Sequence, residues 1–194
     1  MEYNINHLVP YHRYWKNRDL EEKNDKADEN TYKILDLKDK RPHIYTKGVA
    51  WFWEPLKKFI EHVLDEFNED EGKFLPENLH IVIVPSSTPN QWSQGLIKLA
   101  DKIINKFNLS DSKKALVRTY EIDKLSLGGD RSIHIHLDSI EINGDPKKIV
   151  KGKTFILFDD VTTTGNSLIA CAQKLEEAGA AEVVLLAIGK THED

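Results

Sequence analysis

The run Phe158-Asp159-Asp160-Val161-Thr162-Thr163-Thr164-Gly165-Asn166-Ser167 gathers carboxylates, hydroxyls and a glycine into ten consecutive positions. Ionised Asp159 and Asp160 are pure acceptors, suited to vicinal ribose hydroxyls or to a Mg2+ ion held directly or through water. Beyond them, Thr162, Thr163, Thr164 and Ser167 offer hydroxyls and backbone N–H groups, and Gly165 lets a ligand approach the chain closely. The apolar stretch Thr154–Phe158 precedes this loop. A helical repeat of Leu168, Ile169, Ala172 and Leu175 follows it. The loop therefore opens a helix, where unpaired N–H groups and the helix dipole bind phosphate. Two plainer readings compete. A hydrophobic strand ending in Asp-Asp also occurs as a Walker B element, but no Gly-x-x-x-x-Gly-Lys-Ser/Thr stretch accompanies it here. A purely structural account makes Asp159 a turn residue and Ser167 a helix cap, and the length of the run weighs against it.

The elements that position this loop follow from periodicity. Phe52, Leu56, Phe59, Ile60, Val63, Leu64 and Phe67 recur at helical spacing from about Ala50. His80-Ile81-Val82-Ile83-Val84, bounded by Pro85, reads as a strand buried on both faces and as the first strand of a parallel sheet. Leu96, Ile97, Ala100, Ile103, Ile104 and Phe107 mark the next helix, and Ala115-Leu116-Val117 another short strand. Ser132–Asp138 alternates apolar and polar residues, which predicts an extended arm with one covered face. Thr154–Phe158 and Glu182–Ile188 are two further apolar strands around the helix that stops near Gly179. Strands alternating with helices predict an α/β fold, a parallel sheet with helices on both faces and ligands beyond the carboxyl ends of the strands. The informative loops are then 85–95, 118–131 and 159–167.

Bulk properties narrow the classes further. A chain of 194 residues suits one α/β domain. A formal charge of -5 argues against a broad nucleic-acid surface. The cations between Arg13 and Lys47 are interleaved with acids, as on a solvated surface. No apolar run is long enough to span a bilayer, the start of the chain does not read as a signal peptide, and Cys171 is the only cysteine. A cytoplasmic location is the expectation.

The run Ile156 to Ser167 resembles the phosphoribosyl pyrophosphate (PRPP) signature of type I phosphoribosyltransferases, and a weaker resemblance extends from about residue 80 to the end. It implies an α/β type I phosphoribosyltransferase fold, with a core at 80–194 and an N-terminal hood or cap at 1–79 that is not an independent domain. It further implies transfer of the phosphoribosyl group of PRPP to a nitrogenous base or amine with release of pyrophosphate, Mg2+ as cofactor and a homodimer. Among subfamilies the chain looks closest to ComF-like, or orphan phosphoribosyltransferase-like, proteins. The cues are Val84-Pro85, Gln94-Gly95, Leu116-Val117-Arg118 and Gly129-Asp130-Arg131. It departs from them at Gln94, where an arginine is usual, and in lacking a four-cysteine zinc element near the amino terminus.

By this resemblance Asp159 and Asp160 contact the ribose hydroxyls and residues 162–167, including Asn166, wrap the 5-phosphate. Ser86, Ser87 and Thr88 would form a pyrophosphate loop, or an ordinary polar turn. Arg118 would meet pyrophosphate, a bidentate task for a guanidinium, or serve as a surface ion-pair partner. The polar segment 119–131 would close over PRPP, with Lys124 and Arg131 neutralising the departing group. Some purine enzymes carry an acid where Thr163 stands, which leaves any general base to Asp130, Asp123 or a hood histidine. Retention of a PRPP or nucleotide monophosphate pocket without turnover is the alternative function. His134, His136 and Asp138 read as a solvent-facing stripe or, less simply, as a metal-binding His-x-His-x-Asp, for which no second ligand cluster is present. Trp51, Phe52 and Trp53 read as core or partner contacts and Cys171 as a packing residue.

Overall fold

The computed structural model describes residues 3–17, 19–71, 74–123 and 132–192. Five parallel strands form one sheet in the order β1 (Ile5–Tyr11), β9 (Glu182–Thr191), β8 (Thr154–Thr162), β4 (Leu79–Ile83) and β5 (Ser110–Asp111). The apolar runs lie at its centre because both faces are covered, which is why they do not alternate with polar residues. Ile83 stands opposite Phe158, and Phe158 opposite Leu186. Alternation of side chains splits the sheet between two cores. Ile81, Ile83, Ile156, Phe158, Leu186 and Ile188 face one, and Val82, Phe155, Leu157, Leu185 and Ala187 face the other.

Helices cover both faces. On the first lie α1 (Glu29–Lys38), α2 (Pro42–Glu71) and α3 (Gln94–Phe107). Phe52, Leu56, Ile60, Val63 and Phe67 form the buried stripe of α2, each contributing about 1.5–3 kcal/mol by burial. This helix starts at Pro42 rather than near Ala50. Ser93 caps α3, its hydroxyl accepting from the Leu96 N–H, and Asn108 ends it in a left-handed conformation. On the second face lies α6 (Asn166–Glu177), which buries Leu168, Cys171, Ala172 and Leu175.

Three expectations change. The strand at 79–83 is not the first of the sheet, because β1, from the segment assigned to a hood, pairs in parallel with β9 at one edge. The strand near residue 115 is β6 (Leu116–Arg118). It leaves the main sheet to pair antiparallel with β7 (Ile140–Ile142). The predicted extended arm is instead a short helix, α4 (Ile133–Ser139), packed against α6. There tertiary packing overrides a period-two pattern too short to specify a strand unaided. The remaining elements are a small hairpin of β2 (Trp15–Asn17) and β3 (Glu22–Lys23), a 3-10 turn at Pro76–Asn78 and α5 (Pro146–Ile149).

Candidate functional site

The carboxylates lie within β8, since pairing with β9 continues through Thr162. Consecutive strand residues point to opposite faces, so Asp159 and Asp160 straddle the strand. Asp160 turns to the α1 side, where Lys38, the last residue of α1, meets its Oδ1 at 3.0 Å. Asp159 turns to the α6 side. Its Oδ1 accepts from the Asp160 N–H at 2.8 Å. Burial and the neighbouring Asp160 charge push the Asp159 carboxyl up to about 7, opposed by that hydrogen bond, Lys38 and Arg118. Asp159 therefore holds its proton to higher pH than a free carboxyl does.

The position of Lys38 depends on close packing below it. A Cβ at Gly95 would lie 2.2 Å from the Leu37 carbonyl oxygen, so only glycine lets α3 approach the end of α1 this closely.

The phosphate-type loop follows. Thr162 is buried and Thr163 and Thr164 are exposed. The Thr163 hydroxyl meets that of Thr191 at 2.9 Å, joining the loop to the end of β9. Gly165 is the N-cap of α6 in a left-handed conformation (φ 82°), and no side chain caps this helix or places an acid in its first turn. An N-terminus with these properties favours an anion. Neither structural alternative holds, because Asp159 is in a strand and Ser167 is inside the helix.

The first loop packs beside it. The Ser86 N–H donates to the Gln91 carbonyl at 2.9 Å and the Ser86 hydroxyl to the Thr88 carbonyl at 3.2 Å. The Ser87 carbonyl accepts from the Ile122 N–H at 3.0 Å. Arg118 is turned into the protein and is 2% exposed. Its Nε donates to the Ser86 carbonyl at 2.6 Å, Nη1 donates to the Ser139 hydroxyl and Nη2 approaches His136 Nδ1 at 3.5 Å. Burial lowers its pKa from the ordinary arginine value, with Asp159 among the groups that oppose the shift. An arginine has no acceptor, so His136 Nδ1 faces it unprotonated. Its Nε2 lies 3.4 Å from the Ser167 hydroxyl. A buried polar chain thereby runs from the first loop through Arg118 and His136 to the start of α6.

Several predicted residues converge: Asp159, Asp160, Thr162 to Ser167 and, through Arg118, Ser86. Lys124, Asp130 and Arg131 lie outside the described residues. Three contributors escaped the sequence reading. Lys38 is an ordinary lysine ending an ordinary helix, and Thr191 ends a strand. His136 is 1% exposed, whereas a solvent-facing stripe was expected. In a helix His134 and His136 lie on different sides, and His134 is exposed, so the His-x-His-x-Asp metal reading fails geometrically. Among the described residues no three His, Cys, Asp or Glu side chains converge on a metal position, and no helix is long and apolar enough to cross a membrane. Cys171 is fully buried, which raises its pKa, as a packing thiol should show. Phe52 is core, Trp53 packs against it and the Trp51 indole donates to the Asn30 side chain at 3.0 Å.

One cavity of about 710 Å3 opens between Arg13, Trp15 and His192, just past the ends of β1 and β9. Another, of about 750 Å3, opens among Ser112, Lys113, Asn143 and Lys148, and residues 159–167 line neither cavity.

No protein-family model matches this sequence, and no curated protein does either. Solved structures that match include phosphoribosylpyrophosphate synthetase from Mycobacterium smegmatis, at 22% identity over 69% of this chain and 33% of that one, with a TM-score of 0.40. The chain therefore spans about a third of the synthetase's length. Adenine phosphoribosyltransferase from Saccharomyces cerevisiae, complexed with an imino-altritol bisphosphate and adenine, matches at 15% identity over 77% of this chain and 70% of that one, with a TM-score of 0.41. Purine phosphoribosyltransferase from Pyrococcus horikoshii Ot3 matches at 16% identity over 74% and 85%, with a TM-score of 0.40.

Proposed function

We propose that this chain binds PRPP with Mg2+ and transfers its phosphoribosyl group to a nitrogen nucleophile, releasing pyrophosphate. The observation that carries the reading is the start of α6: a helix of 12 residues capped only by a glycine, with no acid in its first turn, a short loop beyond a strand that carries two carboxylates near its end. The N–H groups and hydroxyls of residues 163–167 would hold the 5-phosphate. Asp159, on the α6 side of the strand, would accept from a ribose hydroxyl. Asp160 would do so in concert with Lys38.

An all-oxygen pair of carboxylates fits Mg2+, which keeps several waters and takes its other ligands from phosphate oxygens. Because the two carboxylates lie on opposite faces of β8, Asp159 and Asp160 would each hold it through water rather than both directly. When bound, the ion neutralises charge on the leaving pyrophosphate. In the reaction the bond from C1 to the pyrophosphate oxygen breaks, and its electron pair leaves with pyrophosphate. The acceptor nitrogen bonds C1 and gives up a proton to water or to the departing pyrophosphate. The carboxylates stabilise the positive charge that builds on the sugar. Arg118 serves from inside, holding the Ser86 carbonyl and thus the shape of the first loop. Within this class, the motif run from Val84-Pro85 to Gly129-Asp130-Arg131 favours the ComF-like group.

A second reading, PRPP or nucleotide binding without turnover, draws on the inward orientation of Arg118, whose guanidinium is committed to Ser86, Ser139 and His136. Purified protein incubated with PRPP, Mg2+ and a panel of nucleobases and amines separates the two. Acceptor-dependent pyrophosphate release is expected. PRPP binding by calorimetry without such release would establish the second reading instead.

A further inference from the structure

The proposed reaction needs an acceptor, and the cavity beside Arg13 has a chemical character of its own. Its place is fixed by the ends of two strands. His192 directly follows Thr191, whose hydroxyl bonds Thr163 in the phosphate-type loop, and the His192 N–H donates to the Tyr11 carbonyl at 3.0 Å. His192 therefore links the cavity along the chain to Thr191 and its contact with Thr163, while residues 159–167 do not line it. Half-buried Tyr11 lies between the two places. Burial raises its pKa, and its hydroxyl also senses Lys38 and Asp160 from the carboxylate site and Arg13 from the cavity.

The lining is cationic in a chain that is acidic as a whole. Among the described lining residues are Arg13, Lys16 and Lys26 with one carboxylate, Asp25, whereas the full sequence carries a charge of -5. Lys16 is paired with Glu22 at 3.2 Å. Among the described residues no carboxylate forms an ion pair with Arg13, which leaves its guanidinium able to take one from a ligand. Tyr14 packs edge-on against Trp15, with ring centres 4.7 Å apart, and Tyr32 packs against Tyr14 in turn. Of these aromatic residues, Trp15 lines the cavity. Buried Asn24 also lines the cavity; its N–H donates to the Tyr14 carbonyl at 2.9 Å and its side chain accepts from the Lys26 N–H at 2.9 Å.

We propose that this cavity is the acceptor pocket and that the acceptor is a planar nitrogen heterocycle bearing a carboxylate, its ring against Trp15 and its carboxylate on Arg13. Planar rings stack on indole, and the guanidinium fork matches a carboxylate through two parallel hydrogen bonds. The role as acceptor pocket rests on the functional reading above. The preference for a carboxylated ring does not.

The test uses ring pairs that differ in the acidic group: orotate against uracil, and nicotinate against nicotinamide. Binding is measured by calorimetry on the full chain with saturating ribose 5-phosphate and Mg2+. In each pair the carboxylated member is expected to bind about 10-fold to 100-fold more tightly, the range of one to two charge-assisted hydrogen bonds. Arg13 is exposed, so Arg13→Gln should fold normally and should bring the two members of each pair level. Trp15→Leu should weaken both members together. Equal binding of the members by the unaltered protein, a preference that survives Arg13→Gln, or no binding of either member overturns the inference. PRPP binding is measured separately on the unaltered protein. If PRPP binds and the preference is missing, only the pocket assignment falls. If PRPP does not bind, the functional reading falls, and an Arg13-dependent preference then marks a carboxylate site that is not an acceptor pocket.

Discussion

Asp159 and Asp160 are neighbours in sequence but not in environment. Asp160 has Lys38 beside it at 3.0 Å, while the Asp159 carboxyl is pushed up to about 7 by burial and by its neighbour's charge. Ligands that need an ionised Asp159 should release a proton on binding, so PRPP affinity should rise with pH toward about 7 and level off above it. Calorimetry in two buffers of different ionisation enthalpy would count the proton. Asp159→Asn with Asp160→Asn should weaken PRPP binding by about 10-fold or more, the loss of at least one charge-assisted hydrogen bond. Unchanged affinity would show that the ligand binds elsewhere. His136→Phe should leave Arg118 with one partner fewer inside the protein and cost about 1–3 kcal/mol of stability in urea denaturation.

At the scale of elements, α1 acts as an arm that delivers Lys38, and its reach is set by the contact of Leu37 with Gly95. Gly95→Ala would force a Cβ against the Leu37 carbonyl oxygen. It should destabilise the protein by about 1–3 kcal/mol and weaken PRPP binding by displacing Lys38. Denaturation midpoints and calorimetry on one sample read both effects. The sequence made some elements legible and hid others for physical reasons. The strand at 154–158 and the loop after it could be read locally, because continuous apolar residues followed by polar ones and then a helical repeat have few alternatives. Ile5–Tyr11 could not, because Asn6, His7 and Pro10 interrupt the pattern and the strand exists through its pairing with β9. The segment at 133–139 was misread for the opposite reason. Its alternation is real, but packing against α6 selects a helix and buries His136. Lys38 carries no local signal, since its importance comes entirely from the crossing of α1 over the end of β8.

For the molecule as a whole, two partly buried groups act on stability in opposite directions over the same pH range. His80, hydrogen-bonded to Ser112 at 2.9 Å, has its pKa lowered to about 4 by burial and Lys153. Between about pH 4 and 6.5 the unfolded chain binds more protons there than the folded one, so this contribution rises with pH and is complete above about 6.5. Asp159 does the reverse. Its folded pKa is raised, so the folded state binds more protons between about pH 4 and 7 and this contribution falls with pH. The two should largely offset each other in the unaltered protein. His80→Gln should expose a stability that declines from pH 4 to 7, and Asp159→Asn one that climbs over the same range, as read by thermal midpoints at half-unit pH steps. Identical slopes in the two variants would contradict these assignments.

The pairing of β1 with β9 has a kinetic consequence. The Asn6 side chain reaches the Leu185 carbonyl across 179 residues of chain, and β9 in turn carries the threonine that braces the phosphate-type loop. Contacts so distant in sequence close a long loop before any return is gained, and they form late. The four tryptophans all lie at or before residue 92. During refolding, their fluorescence should therefore settle before PRPP binding recovers, so that the chain spends part of its folding time compact but unable to hold its ligand.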